Sequence, residues 1–344
     1  MTPKERQLAA LARRETDRIS IDVIHINNIQ EIASLLNIHE YEVFDSLGID
    51  GKTVWAPPKE SFSKQIDLNK FSEWGTPNSD EYGTNRTYPL SFAESISDLK
   101  KYDWITTDIY DFEKASLIAK EFDSKGYAVK GPSWKPLLCQ VFDLVGMEET
   151  MIKMKTEPAL IEAILEKVFD FSMDYYMQLL DSCGESMPIF AMGDDFASQR
   201  GLLLSPEDWR KFLKPKYKKI FEMAKSKDKY IWFHSCGNIL EVLPDLIEIG
   251  IDVWETVQLH TLGITPEKLK TEYGNDVIFF GGINTQKLPF ATLDEIDYEV
   301  KYCIDVLGRN GGYIFGPDHQ IKPDVAPEKT VKLFRTAMEY SSKK

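Results

Sequence analysis

His234 and Cys236, separated by one serine, bring together the two side chains that zinc binds most readily. In extended chain, residues two apart project to the same side, so an imidazole nitrogen and a thiolate converge on one point. Gly237 lets the backbone turn sharply afterwards, and Asn238 is placed to cap a helix over NILEVLPDLIEIG. A tetrahedral site needs further donors. Asp318 and His319, in Gly316-Pro317-Asp318-His319, are alternatives for the third. Asp194 and Asp195 are candidates for paired carboxylates or for partners of a metal ligand. Glu255, with apolar neighbours on both sides of WET, could orient a substrate or donate a proton. His25, His39 and His260 lie in no comparable setting and read as surface or structural histidines. An isolated His-x-Cys is more often a buried thiol beside a hydrogen-bonded imidazole, so position in the fold decides its meaning.

The flanking sequence supplies that position. Short apolar runs alternate with helical patterns from about Gly126 onward: 127–131, 188–195, 230–237, 251–258, 276–284 and 311–319. Their Val, Ile and aromatic content suits buried parallel strands. Ser205, Thr265 and Thr292 are helix caps by type, and Pro206, Pro266 and Pro327 each open a helix with an acid following. Pro215 should kink the helix after Ser205. The longest helix starts at Glu157-Pro158 and is expected to stop at Gly184. Such β-α alternation requires a parallel sheet with right-handed crossovers. No G-x-G-x-x-G follows a strand, so a TIM-type (β/α)8 barrel with an N-terminal extension is preferred over a dinucleotide fold. Six strands are visible, so two must come from the first part of the chain. RISIDVIHI (18–26) is one candidate, and the segment 50–110 supplies another or a cap. One domain over residues 1–344 is expected. In a barrel, the carboxyl ends of the strands share one mouth, and His234, Cys236, Glu255, Asp194, Asp195 and His319 all fall at such ends.

The 344 residues carry a formal net charge of −14, a field that repels nucleic-acid backbones and anionic lipid. No run is long and apolar enough to span a bilayer, and the opening MTPKERQLAALARRE lacks the apolar core of a signal peptide, so a cytoplasmic protein is expected. Four scattered cysteines fit reduced thiols.

The run GDDFASQRGLLLSPEDWRKFLKPKYKKIFEMAKSKDKYIWFHSCGNILEVLPDLIEIGIDVWETVQ (193–258), with FFGGINTQ (279–286) and GGYIFGPDHQIKPDVAPE (311–328), resembles the uroporphyrinogen decarboxylase superfamily, and within it the zinc methyltransferases that work with corrinoid proteins. The resemblance implies a barrel whose mouth takes a small methylated substrate or a methyl acceptor, with cobalamin presented by a partner corrinoid protein. The thiol methyltransferases of that branch hold zinc by His, Cys and a distant Cys. His234 and Cys236 match the first two, while the third falls at Gly316-Pro317-Asp318-His319, where no cysteine stands and His319 lines up best. Replacing a thiolate by imidazole leaves the metal more positive, which suits an oxygen leaving group. The expectation is therefore demethylation of an O-methyl substrate, such as a phenyl methyl ether, onto cob(I)alamin. Two rivals remain. A uroporphyrinogen decarboxylase would use an arginine-bearing segment near its N-terminus and no metal; Arg6, Arg13, Arg14 and Arg18 occur here without the expected motif. The other is a binding module without catalysis.

Overall fold

The computed structural model describes residues 1–77, 87–132 and 134–343. Among the described residues there are nine strands: β1 (Gly51–Thr53), β2 (Ala128–Pro132), β3 (Ile189–Gly193), β4 (Ala197–Ser198), β5 (Gly201–Leu202), β6 (Tyr230–His234), β7 (Val253–Val257), β8 (Ile278–Ile283) and β9 (Tyr313–Pro317). Seven of them form one curled parallel sheet in the order β1-β2-β3-β6-β7-β8-β9, and β4 and β5 make a separate small hairpin. Each of the six runs expected as strands matches one of the seven, β2 reaching one residue beyond its run to Pro132, and β1 comes from the segment 50–110. Residues 78–86 of that segment lie outside the described residues.

The run 18–26 behaves differently from the strand expected there. It contributes two isolated parallel bridges, Ile21 to Phe315 and Ile26 to Ile321. The Val23 amide is turned onto the carboxylate of Asp22 (2.7 Å), so it is lost to a ladder. The segment nevertheless joins the two edges of the sheet. The Asp22 amide donates to Phe315 O of β9 (3.0 Å), and the Asp50 amide, just before β1, donates to Ile21 O (2.8 Å).

Side-chain alternation divides the sheet into two cores. Ile231, Phe233, Trp254, Phe279 and Phe315 face the helices, while Ala128, Ile189, Trp232, Val253, Ile278, Phe280 and Ile314 face one another on the inner side. Leu11 of the helix Pro3–Leu11 joins the inner group. His234 keeps the phase of Trp232, and Glu255 that of Val253, so both point inward. The parallel register sets these two directly beside each other.

The helix starts follow the residues expected of them. Ser205, Thr265 and Thr292 accept hydrogen bonds from Asp208 N, Lys268 N and Glu295 N. The helix predicted across Pro215 is divided into Pro206–Phe212 and Lys214–Lys225, because proline's ring and missing amide cannot continue the ladder. Pro158–Cys183 runs 26 residues and stops at Gly184 with φ +54°. The helix expected from Asn238 starts later, at Leu243–Glu248. Asn238 instead accepts from the Leu240 amide in a local turn (3.2 Å). Among the described residues no helix is long and apolar enough to cross a membrane. All four cysteines are free.

Candidate metal centre

At the carboxyl end of the sheet the ligand atoms of His234, Cys236 and His319 lie within 4.8 Å of one another. His234 Nε2 stands 3.6 Å from Cys236 Sγ. Its other nitrogen, Nδ1, is 2.7 Å from Glu255 Oε1. In the neutral ring, a hydrogen bond donated there would fix the ring plane and the tautomer and leave Nε2 to act as a ligand. Trp232 Nε1 donates to the second oxygen of Glu255. Burial would push the Glu255 carboxyl up, but its bond to His234 and the nearby charges of His234 and Lys130 hold it below the ordinary range. Burial likewise opposes charge on His234, yet its bonds to Cys236 and Glu255 raise its pKa well above the free value. For His319 burial wins, its pKa is lowered, and the neutral imidazole that a metal needs is favoured.

The loop that carries Cys236 is held from three sides. Its amide donates to Asp195 Oδ1 (2.8 Å), the Gly237 amide to Gln258 Oε1 (2.8 Å), and the Asn238 amide to Ser198 O in the hairpin (2.9 Å). Gly237 has φ +83°, and a Cβ there would sit 2.6 Å from Ser198 O, so only glycine fits the turn. β7 carries an irregularity between Glu255 and Val257, with Thr256 at φ +67°. Thr256 Oγ1 donates to Ser235 O (2.8 Å). Such a bulge re-aims the residues beyond it, here delivering Gln258 to the Cys236 loop.

The expectation of a carboxylate pair at Asp194 and Asp195 is corrected by the geometry. Adjacent residues diverge. Asp195 Oδ1 lies 3.7 Å from His234 Nε2, beside the cluster. Asp194 is fully buried and accepts from the amides of Leu137 (2.9 Å), Leu138 (2.6 Å) and Cys139 (3.0 Å) and from the Tyr217 hydroxyl (2.7 Å). With these four donors it anchors the start of the helix Leu138–Val145 and has no access to a substrate. Asp318 is also turned aside: Oδ1 accepts from the Thr285 amide (3.0 Å) and hydroxyl (2.7 Å), and burial raises its pKa to about 6. Of the two alternatives, the structure brings His319 to the cluster. His260, read from sequence as an isolated histidine, sits 3.5 Å from Asp318 Oδ2. Trp134 was not foreseen; its ring packs edge-on against His234 with centroids 5.5 Å apart. The strand-end rule could have found it, since it stands just past β2.

The family model for uroporphyrinogen decarboxylase (URO-D) matches residues 137–340, which include the six site residues expected from sequence. The chain belongs to the uroporphyrinogen decarboxylase family. It is 26% identical over 342 residues to the uroporphyrinogen decarboxylase of Chlorobium phaeovibrioides, covering 95% of this chain and 89% of that one. With the enzyme of the same name from Pelodictyon phaeoclathratiforme it shares 26% over 200 residues, 55% of this chain, and spans 52% of that protein's length. A methyltransferase from Methanosarcina mazei superposes over 99% of both chains with a TM-score of 0.68 and 21% identity, which is a likeness of fold.

Proposed function

We propose that this URO-D family member is a zinc-dependent methyltransferase that passes a methyl group from an O-methyl substrate, a phenyl methyl ether, to the cob(I)alamin of a partner corrinoid protein. In this reading the seven strands and the segment at Ile21 form a closed (β/α)8 barrel in one domain. The supporting observation is the convergence of His234, Cys236 and His319 within 4.8 Å, with Glu255 fixing the first imidazole. Two imidazoles and one thiolate suit a borderline-soft ion, and the inward-facing pair His234 and Glu255 has the carboxylate-histidine arrangement common beneath zinc. His234 through Nε2, Cys236 through sulfur and His319 through a ring nitrogen would hold the ion. Bound there, it would supply Lewis acidity toward an ether oxygen, and more of it than a site with a second thiolate. Glu255 keeps His234 aligned, and Asp195 positions Cys236 through its amide.

The decarboxylase named for the relatives is less well matched by the arginines. Arg6 is paired with Asp17 and Asp50 (2.6 Å each), and Arg18 with Asp50 (3.0 Å), at the amino ends of the strands, opposite the cluster. Arg13 donates to Gly274 O (2.7 Å).

The test combines metal and activity. Protein purified without chelator should contain about one zinc per chain. With cob(I)alamin it should form methylcobalamin from a phenyl methyl ether faster than it methylates a small thiol from methylcobalamin. Thiol methylation without ether demethylation reverses the direction, and porphyrinogen decarboxylation with neither replaces the reading. Glu255→Gln should weaken zinc binding about ten- to a hundredfold, measured by competition with a chromophoric chelator, because the amide keeps the shape but loses the charge that holds Nδ1–H. Unchanged affinity would show that Glu255 does not act through His234.

A further inference from the structure

Beside the cluster, at the carboxyl ends of β1 and β2, lies a cavity of about 390 Å³ whose walls include Trp55, Trp134, Tyr110 and Tyr175 and whose polar groups include Glu73 and Lys135. That volume is within the range of roughly 300–1,000 Å³ usual for small-ligand sites. Of the chain's seven tryptophans, Trp55 (57% exposed) and Trp134 (44%) are the two that stand in water, and both line this cavity. Trp134 also packs edge-on against His234, so one wall of the cavity is in contact with the candidate metal centre.

Its polar end is a closed, neutral set. The Tyr110 hydroxyl donates to Glu73 Oε1 (2.6 Å), Lys135 Nζ donates to the Tyr110 oxygen (2.7 Å), and Lys135 pairs with Glu73. Burial would raise the Glu73 carboxyl, but the ion pair with Lys135 holds it below the ordinary range. A free carboxylate entering here would meet Glu73 as well as Lys135, and an ammonium would meet Lys135 as well as Glu73. A hydroxyl suits both, since it can donate to the acid and accept from the lysine.

We infer that this cavity binds a methoxylated phenol, its ring against Trp55 and Trp134 and its hydroxyl between Glu73 and Lys135. The inference rests on the proposed methyltransferase reading for the role of the methoxyl group, but the binding itself does not require transfer. Aromatic walls contribute by area and stacking, and a site built to bond a hydroxyl discriminates strongly against the analogue lacking it.

Titration calorimetry of the zinc-loaded protein, without cobalamin, should show 2-methoxyphenol binding at least about tenfold more tightly than methoxybenzene, 2-methoxybenzoate or tetramethylammonium. Trp55→Ala, at an exposed position, should weaken 2-methoxyphenol at least about tenfold, Trp55→Phe should restore most of it, and Lys135→Met should erase the preference over methoxybenzene. Equal affinity for phenol and ether, tighter binding of the cation, or no effect of Trp55→Ala overturns the inference. If the binding pattern holds but no methyl group is passed to cob(I)alamin, the proposed function fails and the site stands. If ethers are demethylated with the same KM by the wild type and by Trp55→Ala, the site fails and the function stands.

Discussion

If the proposed zinc methyltransferase reading holds, replacing Cys236 with alanine is expected to abolish zinc binding and to lower methyl transfer by at least about a thousandfold, while the fold survives. Its sulfur lies 3.6 Å from His234 Nε2, and the three-residue cluster has no other thiolate to take its place. Loss of a directly bound ligand must exceed the roughly ten- to hundredfold typical of a partner one bond further out. The thiol itself is only half-buried, and truncating it removes little packing. The melting temperature of the metal-free forms should therefore agree within about 2 °C, since about 1 kcal/mol shifts a domain of this size by no more than that. His319→Ala should follow Cys236→Ala in losing metal. Asp318→Ala should not: its carboxylate serves Thr285, so its loss should appear in stability before it appears in zinc content. Elemental analysis with thermal unfolding separates these outcomes. A Cys236→Ala protein that keeps stoichiometric zinc would end the metal reading.

Asp194→Ala should act in the opposite way, on stability rather than on metal. Removing its carboxylate leaves three backbone amides and the buried Tyr217 hydroxyl without their acceptor. Stranding one buried donor costs about 1–3 kcal/mol, and breaking a buried charged network about 3–5 kcal/mol, so the loss should lie in that upper range. Burial raises the Asp194 pKa against the pull of those donors, so the net figure falls short of four separate penalties. Denaturant unfolding should show a lower midpoint with an unchanged slope. Asn, which keeps one acceptor oxygen, should lose less. A cost below about 1 kcal/mol would mean that helix packing, not this carboxylate, holds the segment 137–139.

These two residues also mark the limit of what the sequence discloses. The strands were legible because a buried parallel strand must be apolar throughout, and the helix starts because Ser205, Thr265 and Thr292 carry their own capping chemistry. The position of His234 came from the same pattern. The direction of Asp194 did not: two adjacent acids look alike, and which one is consumed by amides depends on a helix start some 55 residues earlier in the chain. Nor did spacing choose between Asp318 and His319, since the choice turns on where Thr285 lies. The run 18–26 reads as a strand by composition, yet the Asp22 side chain competes for the backbone amide and leaves only bridges. Trp55 and Trp134 look like any other aromatics until exposure is known.

The three-sided hold on the Cys236 loop has a thermodynamic consequence. With the backbone of residues 236–238 already bonded to Asp195, Gln258 and Ser198, the donor set is assembled before any ion arrives. In small zinc modules, uptake and chain ordering are one event, and affinity is depressed by the entropy of freezing the segment. Here that ordering belongs to folding, so ion uptake should leave the heat capacity almost unchanged. Selectivity among divalent ions would then be set by the fixed spacing of the donors rather than by how far the chain can adapt.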